Sequence, residues 1–103
     1  MNKFIYLRFS SYKHKNICTN YAFYLLEKYN EYNLIMDYGC KFDLQKNGIK
    51  YLIQTSKSNK LEVITPNINM LGYKAHYLLK CNDCNIIYND IINDNKEYYF
   101  PMK

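Results

Sequence analysis

The sequence has no tryptophan and little that bends or breaks a chain: three glycines, two prolines and two histidines in 103 residues. Gly39, Gly48 and Gly72 are too few and too far apart to form a glycine-rich loop around phosphates. No apolar run approaches the ~20 residues of a spanning helix, which leaves a membrane out of the expected partners. No charged-then-apolar leader and no Arg-rich transit segment open the chain, because Asn2-Lys3 leads straight into a strand pattern. The protein is therefore expected to act where it is made, or after a presequence has been removed.

Recognisable catalytic constellations are equally scarce. His14 lies between Lys13 and Lys15, and His76 between Ala75 and Tyr77. Neither has the neighbouring Ser or Cys and carboxylate pattern of a nucleophilic site. Asp37, Asp43, Asp83, Asp90 and Asp94 show no metal-type or paired-carboxylate spacing. The four cysteines, in a chain without an export signal, point to reduced thiols. Cys81-Asn82-Asp83-Cys84 could lend two thiolates to zinc, but a closed site needs four ligands and no second close pair exists. Cys81 and Cys84 are therefore weak metal candidates, and no cofactor is expected.

What the chain does have is tyrosine and positive charge. Thirteen Tyr and five Phe supply a core, and the net charge is +5. Residues 1–60 hold ten Lys and Arg against four Asp and Glu, whereas residues 61–103 hold four against five. A basic half beside a near-neutral half fits an anionic partner such as nucleic acid. The length fits one domain over residues 1–103.

Hydropathy patterning predicts seven main elements, with a short apolar run and a helical turn between the fourth and the fifth. Lys3–Ser10 alternates as a strand, with Ile5, Leu7 and Phe9 on one face and Phe4, Tyr6 and Arg8 on the other. Asn16 is a plausible cap for a helix over Ile17–Tyr29, whose stripe is Cys18, Ala22, Leu25 and Tyr29. Leu34–Asp37 opens a second strand and Ile49–Thr55 alternates as a third, with Lys46-Asn47-Gly48 as the turn between them. Leu61–Ile64 is a short apolar run, and Pro66–Leu71 can hold a helical turn. Tyr73–Lys80 alternates again, apart from Leu78. Asn82 or Asp83 can cap a second helix carrying Cys84, Ile87, Tyr88 and Ile91, and Glu97–Met102 reads as a last, edge strand. This is an α+β pattern: a ferredoxin-like βαββαβ sandwich with one antiparallel sheet and both helices on one face. Residues 34–60 form an extended hairpin arm between its second and third strands.

The basic residues Lys13, Lys15, Lys41, Lys46, Lys50, Lys57 and Lys60 fall in loops or in this arm, interleaved with Tyr12, Tyr38, Phe42 and Tyr51. Lysines can position phosphates while aromatics stack on unpaired bases. The chain resembles the small-subunit ribosomal protein S-ten family. Ile5–Phe9 followed by Tyr12-Lys13-His14 stands where the family has its first strand and turn. Gly39 to Lys60 follows the family's arm without a gap, with Lys46-Asn47 at its tip, Tyr51-Leu52-Ile53 in the return strand and Asn59-Lys60 at an Asn-Lys pair. Gly72–Leu79 is similar to the family's later strand. The family's proline-rich arm is here Cys40-Lys41-Phe42-Asp43-Leu44, without proline.

This resemblance implies a structural protein of the small ribosomal subunit head, not an enzyme. Its partners would be small-subunit ribosomal RNA and neighbouring head proteins, and its setting a mitochondrial ribosome on the matrix side. It implies RNA contacts at Arg8, Lys13, His14, Lys15, Lys41, Lys46, Asn47, Lys50, Lys57, Ser58, Asn59, Lys60, Lys74 and His76. The alternatives are a stand-alone RNA- or protein-binding module on the same fold, such as a viral inhibitor, and a small enzyme with Arg8 or His14 at an anion site.

Overall fold

The structure, a computed structural model, describes residues 2–9, 15–39, 44 and 46–89. Strand β1 (Asn2–Phe9) leads through helix α1 (Lys15–Lys28) to β2 (Asn33–Tyr38). Helix α2 (Asn47–Ser56) connects to β3 (Leu61–Thr65), and the short α3 (Ile68–Leu71) and longer α4 (Tyr73–Cys81) connect to β4 (Asn85–Tyr88). The four strands form one sheet of order β2-β1-β3-β4, and every pairing is parallel.

A parallel pairing cannot be closed by a hairpin, so β1, β2 and β3 are each followed by a helical crossover that packs on the sheet. The helices cover both faces. On one, Cys18, Tyr21, Ala22 and Leu25 of α1 bury Ile5, Leu7, Phe9 and Ile64. On the other, Ile49 and Leu52 of α2 and Ala75 and Leu79 of α4 bury Phe4, Tyr6, Leu61 and Val63. Both faces of β1 are thus covered, and its residues from Phe4 to Phe9 are all buried.

The expected mixture of helices and strands is present, but the ferredoxin-like sandwich is corrected. The sheet is parallel instead of antiparallel, and helices cover two faces instead of one. Three elements changed type. Ile49–Thr55, expected as the return strand of an arm, lies in α2. Gly48, Ile49, Leu52 and Ser56 form its buried line, while Tyr51, central to the period-2 pattern, is exposed. Tyr73–Lys80 lies in α4, where Ala75 and Leu79 are buried and Tyr73 and Tyr77 face solvent. The predicted second helix gives way to β4 over Asn85–Tyr88. The first strand and first helix were located to within two residues, and Leu61–Ile64 and the turn after Pro66 lie in β3 and α3. The predicted strand at Glu97–Met102 lies outside the described residues.

Burial of titratable groups in these cores has a consequence at alkaline pH. The Cys18 thiol is pushed up to about 12 by burial, the positive charge of Arg8 offsetting part of the effect. The Tyr6 hydroxyl is raised as well, first by burial and then by the neighbouring Asp37. A thiol whose folded value exceeds its ordinary value near 9 contributes its full stability below that ordinary value. That stability is lost as the pH climbs from about 9 toward 12, with a slope of up to about 1.4 kcal/mol per pH unit for each such group. Urea unfolding from pH 7 upward is expected to give constant stability to about pH 9 and a decline above it, shallower in Cys18→Ala. A flat profile to pH 11 would contradict the burial of this thiol.

Candidate active site

In an open parallel sheet, the crevice outside the carboxyl ends of the strands is where ligands are held. It opens where successive connections leave a strand in opposite directions. Here that point lies between β1 and β3, because the chain passes from β1 outward to β2 and then crosses back to β3. Three connections meet at this edge: the start of α1, Gly39 after β2 with Lys46 before α2, and α3 with the start of α4.

Arg8, one residue from the end of β1, occupies the switch point. Its side chain is 3% exposed and joins two of the connections. Nη1 donates to the carbonyl of Gly39 at 2.8 Å, while Nε and Nη2 donate to the carbonyls of Met70 at 3.1 Å and Asn69 at 3.0 Å. A guanidinium presents its donors in a rigid planar fork, so these bonds fix its orientation. Asn67 caps α3 by accepting from the Met70 amide at 2.9 Å, which holds the two carbonyls in place. Gly39 has φ +113°, a conformation that favours glycine, and its amide donates to Phe9 O at 3.0 Å.

Asp37 lies beside Arg8 in the β1–β2 register and is 7% exposed. Its carboxylate accepts the Gly48 amide at 2.8 Å, the Ile49 amide at 3.1 Å and the Tyr6 hydroxyl at 2.8 Å. The first two are unpaired donors at the start of α2, where the helix dipole also favours a negative charge. Three donors make Asp37 an anchor instead of a free base. Gly48 permits the close approach: a Cβ there would meet Ile35 Cγ2 at 2.5 Å and both Asp37 carboxylate oxygens at 2.8 Å.

The residues singled out in the sequence do not gather in one place. Arg8, Lys15, Lys46, Asn47 and Lys74 lie at or near the carboxyl edge. Lys46 Nζ donates to the carbonyl of Tyr38 at 2.8 Å, whereas Lys15, Asn47 and Lys74 are exposed. Lys57, Ser58, Asn59 and Lys60 form an exposed turn at the opposite, amino edge, and Lys50 lies on the outer face of α2. His76 is occupied on α4, its Nδ1 lying 2.6 Å from the Tyr88 hydroxyl with the two rings stacked. Lys13, His14 and Lys41 are outside the described residues. Cys81 ends α4 exposed and Cys84 is buried, and no metal-binding cluster occurs among the described residues. Sequence reasoning missed Tyr6, Asp37, Gly48 and the α3 carbonyls. The available signal was an arginine placed on the inward face of an otherwise apolar strand.

No protein-family model matches the chain, and no curated protein sequence does. Solved structures do. The chain is similar to a serine recombinase from Sulfolobus solfataricus, with TM-score 0.73 and 23% identity over 90% of this chain and 76% of that one. It is also similar to the first open reading frame of transposon ISC1904 from Sulfolobus solfataricus P2, with TM-score 0.71 and 24% identity over 91% and 77%. A third likeness is to the C-terminal catalytic domain of ISC1926 TnpA, an IS607-like serine recombinase, with TM-score 0.70 and 18% identity over 91% and 77%. The fold is that of serine recombinase catalytic domains.

These findings overturn the ribosomal reading. The resemblance to the S-ten family rested on an antiparallel arm that is a helix here, and its structural role, its ribosomal RNA and head-protein partners and its mitochondrial setting fall with it. The stand-alone RNA- or protein-binding module gains no support either. The expectation of a non-enzyme is corrected as well, since the matching folds are those of recombinases, one of them a catalytic domain.

The Asp37 anchor is open to test. Gly48→Ala sets a helix-propensity gain of about 1 kcal/mol against overpacking of about 1–3 kcal/mol. A net loss of stability by urea unfolding is expected. Asp37→Asn keeps the shape but removes the charge at the helix start, and should cost about 1–2 kcal/mol. Unchanged stability in both variants would mean that this cap does not hold α2 to the sheet.

Proposed function

We propose that this chain is a DNA strand-breaking and rejoining domain of the serine-recombinase type, with its reaction centre at the carboxyl edge around Arg8. The observation that carries this reading is the parallel 2-1-3-4 sheet, matched over nine-tenths of the chain to a serine recombinase, with Arg8 at its switch point. In sequence, Ser10-Ser11 follows directly on β1. The other two serines point elsewhere: Ser56 is buried and bonded to the Ile53 carbonyl, and Ser58 lies at the amino edge. A nucleophile at this edge would therefore be Ser10 or Ser11.

In such a reaction the serine oxygen attacks phosphorus in a phosphodiester and its proton leaves. One phosphorus–oxygen bond to a sugar breaks, and the departing sugar oxygen takes up a proton. The product is a phosphoserine ester, which a sugar hydroxyl can attack to restore a phosphodiester without an external energy source. The charge that grows on the phosphoryl oxygens is best met by fixed positive groups. Arg8 supplies a held one, and the exposed Lys15 and Lys74 supply charge for drawing in the DNA backbone.

Incubation with supercoiled plasmid, followed by denaturing electrophoresis, is expected to give a covalent protein–DNA adduct. Ser10→Ala or Ser11→Ala, whichever removes the nucleophile, should lower its yield by about a thousandfold or more. A full yield in the double variant would refute a serine at this edge.

A further inference from the structure

A pocket of about 320 Å³ opens between Leu44 and helix α4. Its walls are Leu44, Tyr73, Lys74, Tyr77 and Leu78, and its lining surface is apolar. Leu44 belongs to the connection that carries Gly39, and Tyr73 follows the α3 residues whose carbonyls Arg8 grips. The pocket therefore spans the same two connections that Arg8 ties together.

Two of its walls are unusual for a surface with no assigned role. Tyr73 is 57% and Tyr77 67% exposed, one helical turn apart on the outer face of α4. Neither packs into the core, which α4 meets through Ala75 and Leu79. The electrostatics narrow the choice of occupant. Neither α2 nor α4 carries an acidic residue, while Lys50, Lys74 and Lys80 are all exposed on them. A second copy would set lysine against lysine. An occupant with flat apolar rings and negative charge at regular intervals satisfies both features, since bases stack on aromatic side chains while lysines neutralise phosphates. Its volume lies at the small end of ligand pockets, about 300–1,000 Å³, which suits a single splayed-out ring system better than a duplex.

We infer that this pocket holds an unpaired base of a DNA strand against Tyr73 and Tyr77, with Lys74 on the adjoining phosphate. The choice of DNA over RNA rests on the recombinase reading above; the pocket itself does not. A strand opened during the reaction would thereby be kept from re-pairing while its phosphodiester is cut or exchanged.

Fluorescence anisotropy with a labelled single-stranded oligonucleotide, its duplex, and a strand with abasic positions tests this in the full chain. The single strand is expected to bind more tightly than the other two. Tyr73→Ala with Tyr77→Ala should weaken it by about 5- to 100-fold. Lys74→Ala should reduce the salt slope of binding by about 0.7. Equal affinity for intact and abasic strands, or for the double tyrosine variant and the wild type, would overturn the pocket. So would a wild-type dimer that the tyrosine variant dissolves without a change in DNA affinity, which would make this face a protein interface. Tighter binding of the RNA strand of the same sequence would overturn the choice of DNA. The cleavage reading fails separately: tyrosine-dependent binding without any covalent adduct would sink that reading and leave the base pocket standing. Adduct formation indifferent to the tyrosines would do the reverse.

Discussion

The carboxylate of Asp37 is the constraint on which this arrangement turns. A carboxylate with 7% exposure is costly to bury unless hydrogen-bond donors meet both its oxygens. Here one side chain from β1 and two backbone amides of α2 provide the match, so the charge is stabilised only while sheet and helix hold their relative positions. The same bonds fix where β2 ends and α2 begins. Gly39, whose carbonyl receives Arg8, follows two residues after this carboxylate. Anchor and guanidinium form one unit, with two neighbouring residues of the β1–β2 register serving as its poles.

Much of β1 and α1 was legible because each has a single dominant period. The alternation of Ile5, Leu7 and Phe9 against Phe4, Tyr6 and Arg8 maps onto the two cores. The stripe of Cys18, Ala22 and Leu25 does so for α1. In α2 and α4 two periods compete. Ile49, Tyr51 and Ile53 satisfy a strand, and Ile49, Leu52 and Ile53 satisfy a helix equally well. Over seven or eight residues local spacing does not separate the two. What decided them was tertiary: a parallel β2-β1-β3 arrangement requires a crossover between β2 and β3, and Gly48 lets its first turn reach Asp37.

The site was less legible than the fold for a related reason. Arg8 and Asp37 are 29 positions apart and meet only through a parallel register, which no spacing rule announces. The carbonyls that hold Arg8 are main-chain groups, whose identity leaves no trace in residue type. Loop lysines were read as a binding arm because charge is visible in a sequence, while the turn Lys57–Lys60 in fact lies at the amino edge. Basic composition pointed to an anionic partner without saying which edge of the sheet would meet it.

The place of β1 in the sheet also shapes how the chain must assemble. Ile5 pairs on one side with Leu34 and on the other with Ile64, so an interior strand is the first of the four to be synthesised and is enclosed only when β3 arrives. Pairings this distant in sequence are slow to form, and until β3 arrives one flank of β1 stays open to any other extended segment nearby. During synthesis the most extensively buried of the described strands is thus a vulnerable part, and it waits on residues about sixty positions downstream for protection.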